Sequence, residues 1–267
     1  MYITNNPELA ESAVAAGVDR IFIDLEILGK VERQGHLSTV ISKHTIDDVK
    51  AIRQKLPNAE LLVRINPYHE KSEEEIESIL KYRPKFIMLP MYRTAEEIRK
   101  VAHTINGQAG LIPLLETPEA LQNIEEVASI DGVTEMYMGL NDLHLALKKK
   151  FMFEFIADKT VEKFATVVKS KGKKFGFGGL ARISEGLLPA ERILEEHERI
   201  GSSAVILSRT FHGEARNLDE RSSSMDLKKE IQKIRACERA VSQRSDAQRS
   251  ADYATICKLI NEIAARQ

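Results

Sequence analysis

The chain has 267 residues, 43% of them hydrophobic, and a formal net charge of -1 from 39 basic and 40 acidic side chains. This length suits one large α/β domain, and the balanced charge gives no electrostatic support for binding nucleic acid or an anionic membrane. The cysteines Cys237 and Cys257 fit a reducing compartment and neither a disulfide framework nor a zinc motif. The first residues lack the basic and apolar regions of a signal peptide, and no apolar run approaches the roughly 20 residues of a membrane span. We therefore expect a cytoplasmic protein that acts without a nucleic-acid or membrane partner.

Eight short apolar runs, separated by helical patterns, predict β-strands. The runs cover residues 2–4, 20–25, 61–65, 85–89, 111–115, 135–138, 174–177 and 204–207. Helices are predicted over residues 8–16, 45–55 and 72–80, after Thr94, Thr117 and Asp142, and over residues 157–170 and 189–200. The expected N-caps are Thr45, Ser72, Thr94 and Thr117, and Pro118 suits a first helical position because its missing N–H costs nothing there.

Strict alternation of strands and helices indicates parallel strands with right-handed crossovers. Continuous apolar runs are expected when both faces of a strand are buried. A (βα)8 TIM barrel fits the strand count best. A doubly wound open sheet is the alternative, and it would need no particular number of strands.

The pattern changes after the eighth strand. Residues 208–224 form a polar stretch that is longer than a typical barrel loop, and residues 29–43 form another that fits no regular element. Two amphipathic helices are predicted at residues 225–241 and 251–265, with a hinge at residues 242–250. We assign residues 1–210 to the barrel core and 211–267 to C-terminal helices that bury their apolar faces by assembly, and we therefore expect a homo-oligomer.

Polar side chains gather where the predicted strands end, which is where barrel enzymes carry their active sites. They are Asp24, Glu26, Arg64, Asn66, Glu116, Asn141 and Asp142. Glu116 and Asp142 each follow an apolar strand and open a helix, and neighbouring strands lie about 5 Å apart. The two carboxylates could share one Mg²⁺ or Mn²⁺, since these ions prefer oxygen ligands. Alternatively, both are helix-start carboxylates stabilised by helix dipoles.

Arg64 could hold a substrate carboxylate through two hydrogen bonds and stabilise a developing enolate. The alternative is a structural ion pair with Asp24 or Glu26 across the barrel mouth. Glu26 itself could reach the metal through water, pair with Arg64, or be an ordinary rim residue. Among the loop histidines His36, His44 and His69, we favour His44 as a catalytic residue because it precedes a helix start in the loop after Glu26.

Gly178 and Gly179 follow the seventh strand, where barrels often bind anions through backbone N–H groups. Close packing at the rim explains these glycines equally well. Arg182 and Arg209 could serve an anionic substrate or be merely solvated. A Schiff-base lysine is expected at a strand end, whereas Lys85 and Lys174 lie at predicted strand starts, so that route is disfavoured.

The sequence resembles the HpcH/HpaI aldolase and citrate lyase β-subunit superfamily. The matching segments, in family order, are residues 23–26 (Ile-Asp-Leu-Glu), 63–66 (Val-Arg-Ile-Asn), 86–90 (Phe-Ile-Met-Leu-Pro), 114–118 (Leu-Leu-Glu-Thr-Pro) and 139–143 (Gly-Leu-Asn-Asp-Leu). The resemblance implies a (βα)8 barrel, Mg²⁺ or Mn²⁺ held at Glu116 and Asp142, and Arg64 on the substrate carboxylate or enolate. It also implies reversible carbon–carbon cleavage or formation through a pyruvate-like or acyl enolate.

The sequence departs from the family pattern in three places. Residues 27–30 (Ile-Leu-Gly-Lys) replace the acidic and small apolar residues that usually follow Asp-Leu-Glu in the acyl-CoA lyases. His36 and His44 lie farther along than the histidine of the pyruvate aldolases, and Leu140 replaces the usual proline of Gly-Pro-Asn-Asp or Gly-Pro-Ala-Asp.

Three functions follow from this comparison. The first is a class II, metal-dependent lyase of a small oxo-acid, with Arg64, Glu26 and His44 as catalytic residues. Its substrate would bind Arg64, Asn66, Gly178 and Gly179. The second is a CoA-thioester lyase of malyl- or citramalyl-CoA type. The third is a non-catalytic barrel that serves as a subunit.

Overall fold

The computed structural model describes residues 1–29, 43–211 and 226–267, and these ranges contain an eight-stranded parallel sheet. The strands are β1 (Tyr2–Ile3), β2 (Arg20–Asp24), β3 (Glu60–Arg64), β4 (Phe86–Leu89), β5 (Gly110–Leu115), β6 (Glu135–Met138), β7 (Lys174–Leu180) and β8 (Ala204–Leu207). Each strand pairs with the next along the chain. β8 returns to β1, where the Leu207 N–H donates to the Met1 carbonyl at 2.9 Å. The predicted (βα)8 barrel is confirmed, and the open-sheet alternative is wrong.

Helices cover the outside of the strands. They are α1 (Pro7–Ala15), α2 (Ile46–Lys55), α3 (Ser72–Leu80), α4 (Ala95–Ile105), α5 (Pro118–Gln122), α6 (Ile124–Ala128), α7 (Leu140–Ala146), α8 (Glu154–Ala157), α9 (Thr160–Ser170), α10 (Ala190–Ile200), α11 (Leu227–Ser242) and α12 (Asp246–Arg266). No helix in the described ranges is both long enough and apolar enough to span a membrane.

Three of the four predicted N-caps are confirmed. Thr94 and Thr117 accept hydrogen bonds from backbone N–H groups in the first turns of α4 and α5, and Thr45 forms a capping box with Asp48. The prediction for Ser72 is wrong, because Lys71 holds the N-cap position of α3. The Ser72 hydroxyl instead accepts from the His69 N–H at 2.8 Å and closes the turn before the helix.

Two apolar layers result from the alternation of side chains along each strand. The inner layer fills the barrel and consists of Phe22, Leu62, Phe86, Met88, Ile112, Leu114 and Tyr137, all at most 7% exposed. The outer layer packs the other strand faces against the helices. Residues two positions beyond the inner layer therefore point into the barrel mouth. This rule places Asp24 after Phe22, Arg64 after Leu62, and Glu116 after Leu114.

The C-terminal helices α11 and α12 pack against α1, α8 and α10 of the same chain. The predicted hinge is largely wrong, since α12 begins at Asp246 with a capping box between Ser245 and Gln248. Ion pairs link this region to α10: Arg249 of α12 lies 3.5 Å from Glu198, and Arg244, in the connection between α11 and α12, lies 2.7 Å from Glu195. The apolar faces predicted for this segment are thus partly buried within the chain itself.

His197 in α10 is a buried, uncharged histidine. Its ring stacks on Phe177 with centroids 3.9 Å apart, and Nδ1 lies 2.8 Å from the Ser202 hydroxyl. Burial lowers the pKa of His197 to about 3, whereas the pKa of an unfolded histidine is about 6.5. Between these values the unfolded chain binds a proton that the folded chain does not, so the free energy of unfolding falls as the pH is lowered.

We expect His197→Phe to reduce this acid sensitivity while keeping the stack on Phe177. The slope of unfolding free energy against pH should fall by up to about 1.4 kcal/mol per pH unit in the window from 6.5 down to 3. Urea titrations of both proteins across this window measure the difference. Parallel pH profiles for the two proteins would contradict the assignment.

Candidate active site

An ion-pair cluster occupies the barrel mouth between β2 and β3. Asp24 and Arg64 are directly paired residues of the two strands, which brings their side chains together. Nε and Nη2 of Arg64 each lie 2.8 Å from one carboxylate oxygen of Asp24, and Nε lies 3.3 Å from Glu26 Oε2. Burial alone would lower the pKa of Arg64, but the charges of Asp24 and Glu26 outweigh it and raise the pKa above its usual value. The Arg64 guanidinium is therefore charged and held in one orientation. Its contacts with Asp24 use Nε and Nη2, and Nη1 takes no part in them.

Glu116 is a buried carboxylate at the end of β5, with 3% of its surface exposed. Its Oε1 accepts from the Met91 N–H at 3.0 Å. Burial, followed by the charges of Glu26 and Asp142, raises the pKa of Glu116 well above its usual value, against the opposing effect of Arg64 and the Met91 N–H. The site therefore has an excess of negative charge that a proton or a cation would offset.

The donor set fits a hard divalent cation. Within the described ranges, no group of three or more histidine, cysteine, aspartate or glutamate side chains is arranged to hold a metal ion. Glu116 and Asp142 alone would then bind the ion directly, and water and substrate oxygens would complete its shell. This arrangement suits Mg²⁺ and Mn²⁺, because Mg²⁺ usually keeps several waters and takes only one or two carboxylates from a protein.

Gly139 permits the close approach of Glu116 to α7. A Cβ added at this position would lie 2.8 Å from Glu116 Oε2 and 3.1 Å from Glu116 Cβ. Real Cβ atoms do not approach so closely, so alanine would displace the carboxylate.

We expect Gly139→Ala to weaken Mn²⁺ binding by about 10- to 100-fold, the usual effect of disturbing the support of a metal ligand. Isothermal titration calorimetry measures the change. Gly179→Ala is the matched control, since its added Cβ would meet only the Ile206 carbonyl at 3.7 Å. Equal affinities in the two variants would contradict the proposed role of Gly139.

Several of the predicted site residues line a cavity of about 460 Å³ at the C-terminal end of the barrel. Its lining includes Arg64, Glu116, Asp142, Gly178 and Gly179. Glu26 adjoins it through Arg64. The cavity thus brings together the two proposed metal ligands, the arginine and the two glycines. The prediction that these glycines follow the seventh strand is wrong, because both lie within β7.

Other predicted residues lie beside the cavity. His44 Nδ1 accepts from the Asp24 N–H at 3.0 Å, which places this ring against the end of β2. Asn66 does not line the cavity: its Oδ1 accepts from the N–H groups of Ile27 and Leu28 at 2.9 and 3.0 Å, and its Nδ2 donates to Glu75 at 2.9 Å. Asn66 therefore secures the loop after β2.

Among the described residues, the other histidines and arginines considered in the sequence analysis do not line the cavity. His69 Nε2 lies 3.2 Å from Glu75 Oε2, and Arg182 forms a two-contact pair with Glu185 at 2.9 and 2.7 Å. Arg209 is exposed. His36 lies outside the described residues.

Tyr137 is a site residue that the sequence interpretation missed. Its hydroxyl donates to the Gly178 carbonyl at 2.6 Å and accepts from the Ile206 N–H at 2.9 Å. It thereby fixes the irregular second half of β7 from inside the barrel. The one available signal was its position on the inner face, two residues before Gly139.

Comparisons with known proteins agree with this fold. A family model described as HpcH/HpaI aldolase/citrate lyase matches residues 1–200. A curated protein of Cereibacter sphaeroides, (3S)-malyl-CoA thioesterase, is 27% identical over 164 residues. That match covers 60% of this chain and 54% of the relative, so the chain spans about half the length of the curated protein it matches.

Two solved structures have the same architecture. The HpcH/HpaI aldolase from Desulfitobacterium hafniense DCB-2 gives a TM-score of 0.60 at 14% identity, covering 84% of this chain and 92% of that chain. Protein CitE from Mycobacterium tuberculosis, in complex with magnesium and pyruvate, gives 0.58 at 14% identity, covering 96% of each chain. At these identities the likeness establishes the fold alone.

Proposed function

The chain belongs to the HpcH/HpaI aldolase/citrate lyase family, and on this basis we propose that it is a divalent-metal-dependent lyase that cleaves or forms a carbon–carbon bond of a small oxo-acid through a pyruvate-like enolate. The main supporting observation is that Glu116, Asp142 and Arg64 line one cavity at the barrel mouth. The solved CitE structure that holds magnesium and pyruvate supports the same choice of ion and ligand.

Each residue of the cavity mouth has a proposed task. Glu116 and Asp142 hold Mg²⁺ or Mn²⁺, which supplies Lewis-acid polarisation of the keto group when bound. Arg64 binds the substrate carboxylate and stabilises the negative charge that develops on the enolate. Asp24 and Glu26 keep the Arg64 guanidinium charged and oriented, so no reorganisation is needed during the reaction.

Glu26 and His44 are the candidates for moving the proton. His44 Nδ1 accepts a hydrogen bond from the Asp24 N–H, so the neutral ring carries its proton on Nε2. His44 could accept a proton from substrate only by giving up that bond. We therefore favour Glu26, 2% exposed and next to Arg64, as the general base, with His44 as a positioning residue.

Oxaloacetate decarboxylation and pyruvate C3 proton exchange both test enolate formation without requiring the natural substrate. We expect both activities with added Mg²⁺ or Mn²⁺, and their loss with a chelator. Activity that persists in chelator would refute the metal-dependent mechanism.

A CoA-thioester lyase is the second candidate, and the (3S)-malyl-CoA thioesterase relative favours it. Malyl-CoA and citramalyl-CoA, offered to the same metal-loaded protein, distinguish the two. Cleavage of these thioesters with no turnover of free oxo-acids would favour this candidate. Metal binding without turnover of either class would instead indicate the non-catalytic subunit.

We also propose that the chain consists of a barrel core, residues 1–210, and a helical unit, residues 211–267, and that this helical unit supports a homo-oligomer. The buried side chains of α11 and α12 include Leu227, Ile231, Ile256 and Ile260, each at most 4% exposed. Deleting residues 225–267 should expose their partners on the barrel and give aggregated protein. Light scattering measures both properties: a monomeric mass for the full chain would refute the oligomer, and a soluble folded monomer from the deletion would refute the role of the helices.

A further inference from the structure

Apolar side chains make up most of the cavity wall beyond the charged residues. They include Leu140, Phe151, Phe153, Leu187, Leu188 and Ile193. Leu140 immediately follows Gly139, which abuts Glu116, so the apolar wall begins directly beside a proposed metal ligand.

The apolar wall also reaches Gly178 within β7. A Cβ on Gly178 would lie 3.2 Å from Leu140 Cδ1 and 3.5 Å from Phe153 Cε1. The rings of Phe151 and Phe153 meet edge to face with centroids 5.4 Å apart. Leu140, Phe151 and Phe153 are each at most 5% exposed, so packing holds these side chains in place and they form a preformed apolar surface.

Positive charge is scarce among the described residues that line this cavity. Among the described lining residues, Arg64 is the one cation, and it already faces Asp24 and Glu26. Arg182, near the end of β7, is committed to Glu185. A second carboxylate on a substrate would lose its hydration here, and none of the described lining residues offers it a further positive charge. Its binding would therefore be unfavourable.

We infer that the substrate is a 4-hydroxy-2-oxo acid whose group beyond C4 is uncharged and apolar, either aliphatic or aromatic. This inference rests on the proposed function. In the cleavage, the C3–C4 bond breaks and its electron pair passes to C3, which takes up a proton to complete pyruvate. The C4 hydroxyl loses its proton and becomes the carbonyl of an apolar aldehyde, so atoms and charge balance without a further reactant.

Two synthetic substrates test the inference with Mn²⁺-loaded protein. One carries a butyl group on C4 and the other a carboxyethyl group of similar length, and pyruvate release gives kcat/KM for each. We expect the butyl compound to be preferred at least about tenfold, since its alkyl group gains by leaving water for the apolar wall, whereas a carboxylate loses its hydration there. Binding of the corresponding 2-oxo acids without the hydroxyl, measured by calorimetry, should follow the same order.

Leu187→Arg provides the matching change in the protein. Leu187 is 72% exposed at the cavity rim, so the folded core should tolerate the substitution. The new charge should reduce or reverse the preference for the butyl compound. Leu147→Arg is the control, because Leu147 is 39% exposed and is not part of the cavity lining, and its preference should match that of the unchanged protein.

Pyruvate C3 proton exchange tests the proposed function separately from the inferred substrate class, because pyruvate carries one carboxylate and no group beyond C3. If exchange occurs but the carboxyethyl compound is cleaved as well or better, or neither compound is cleaved, the inferred substrate class is overturned and the proposed enolate chemistry stands. If exchange is absent, the proposed enolate chemistry is overturned, and the inferred substrate class with it.

Discussion

Asp142→Ala is expected to abolish divalent-metal binding and, with it, enolate formation. Only Glu116 would remain as a direct ligand, and one carboxylate does not compete well with the hydration of Mg²⁺. The oxaloacetate decarboxylation rate should fall by at least about 100-fold, the scale observed when one group that stabilises developing charge is removed. Calorimetry with Mn²⁺ and the decarboxylation assay give the two readouts.

The control for this change is Asp131→Ala. Asp131 is exposed and lies outside the cavity lining, so it tests the loss of a carboxylate without the loss of a ligand. Undiminished Mn²⁺ affinity in Asp142→Ala would rule out the two-carboxylate site. Decarboxylation that survives both this substitution and a chelator would instead direct attention to a metal-free or Schiff-base route.

Arg64→Lys should lower the rate by orders of magnitude while leaving metal binding intact. Lysine keeps the positive charge but cannot reproduce the planar, two-contact geometry of the guanidinium. The substrate carboxylate and the enolate would therefore lose an oriented partner, and Asp24 would lose one of its two bonds. The rate is measured as decarboxylation kcat, with Mn²⁺ affinity and melting temperature recorded in parallel.

Arg20→Lys is a closely matched control. Arg20 stands at the other end of β2, where it makes the same two-contact pair with Glu135, at 3.0 Å for both bonds. Both variants should lower the melting temperature, but only Arg64→Lys should lower kcat. A similar kcat loss in both would show that Arg64 acts through stability alone.

The barrel was predictable because its signals are local. Short apolar runs define the strands, and they place Glu116 directly after β5 and Asp142 close after β6, in the first turn of α7. Alternation within a strand then determines which side chains share the mouth, as for Asp24 and Arg64. These features need no knowledge of distant contacts.

Contacts between residues that are distant in the chain could not be predicted from the sequence. Asn66 lies two residues after Arg64 and has the same strand-end signal, but its amide bonds hold Ile27, Leu28 and Glu75 instead of facing the cavity. His44 lies against Asp24 only because the chain returns to β2. The space left by Gly139 depends on the position of Glu116 on another strand. Neither the periodicity nor the spacing of residues in the sequence indicates these three contacts.

The filled barrel interior has a kinetic consequence for the proposed cleavage. The inner layer is packed with apolar side chains, and at its lower end the Arg20 guanidinium lies 3.9 Å from the centre of the Phe86 ring while pairing with Glu135. Because the described inner layer is packed, we expect the substrate and both products of the proposed cleavage to share the opening at the strand ends. Pyruvate, which the proposed contacts with Arg64 and the metal ligands would hold deepest, would then leave last. The barrel architecture would thus set the order of product release, with the aldehyde departing first.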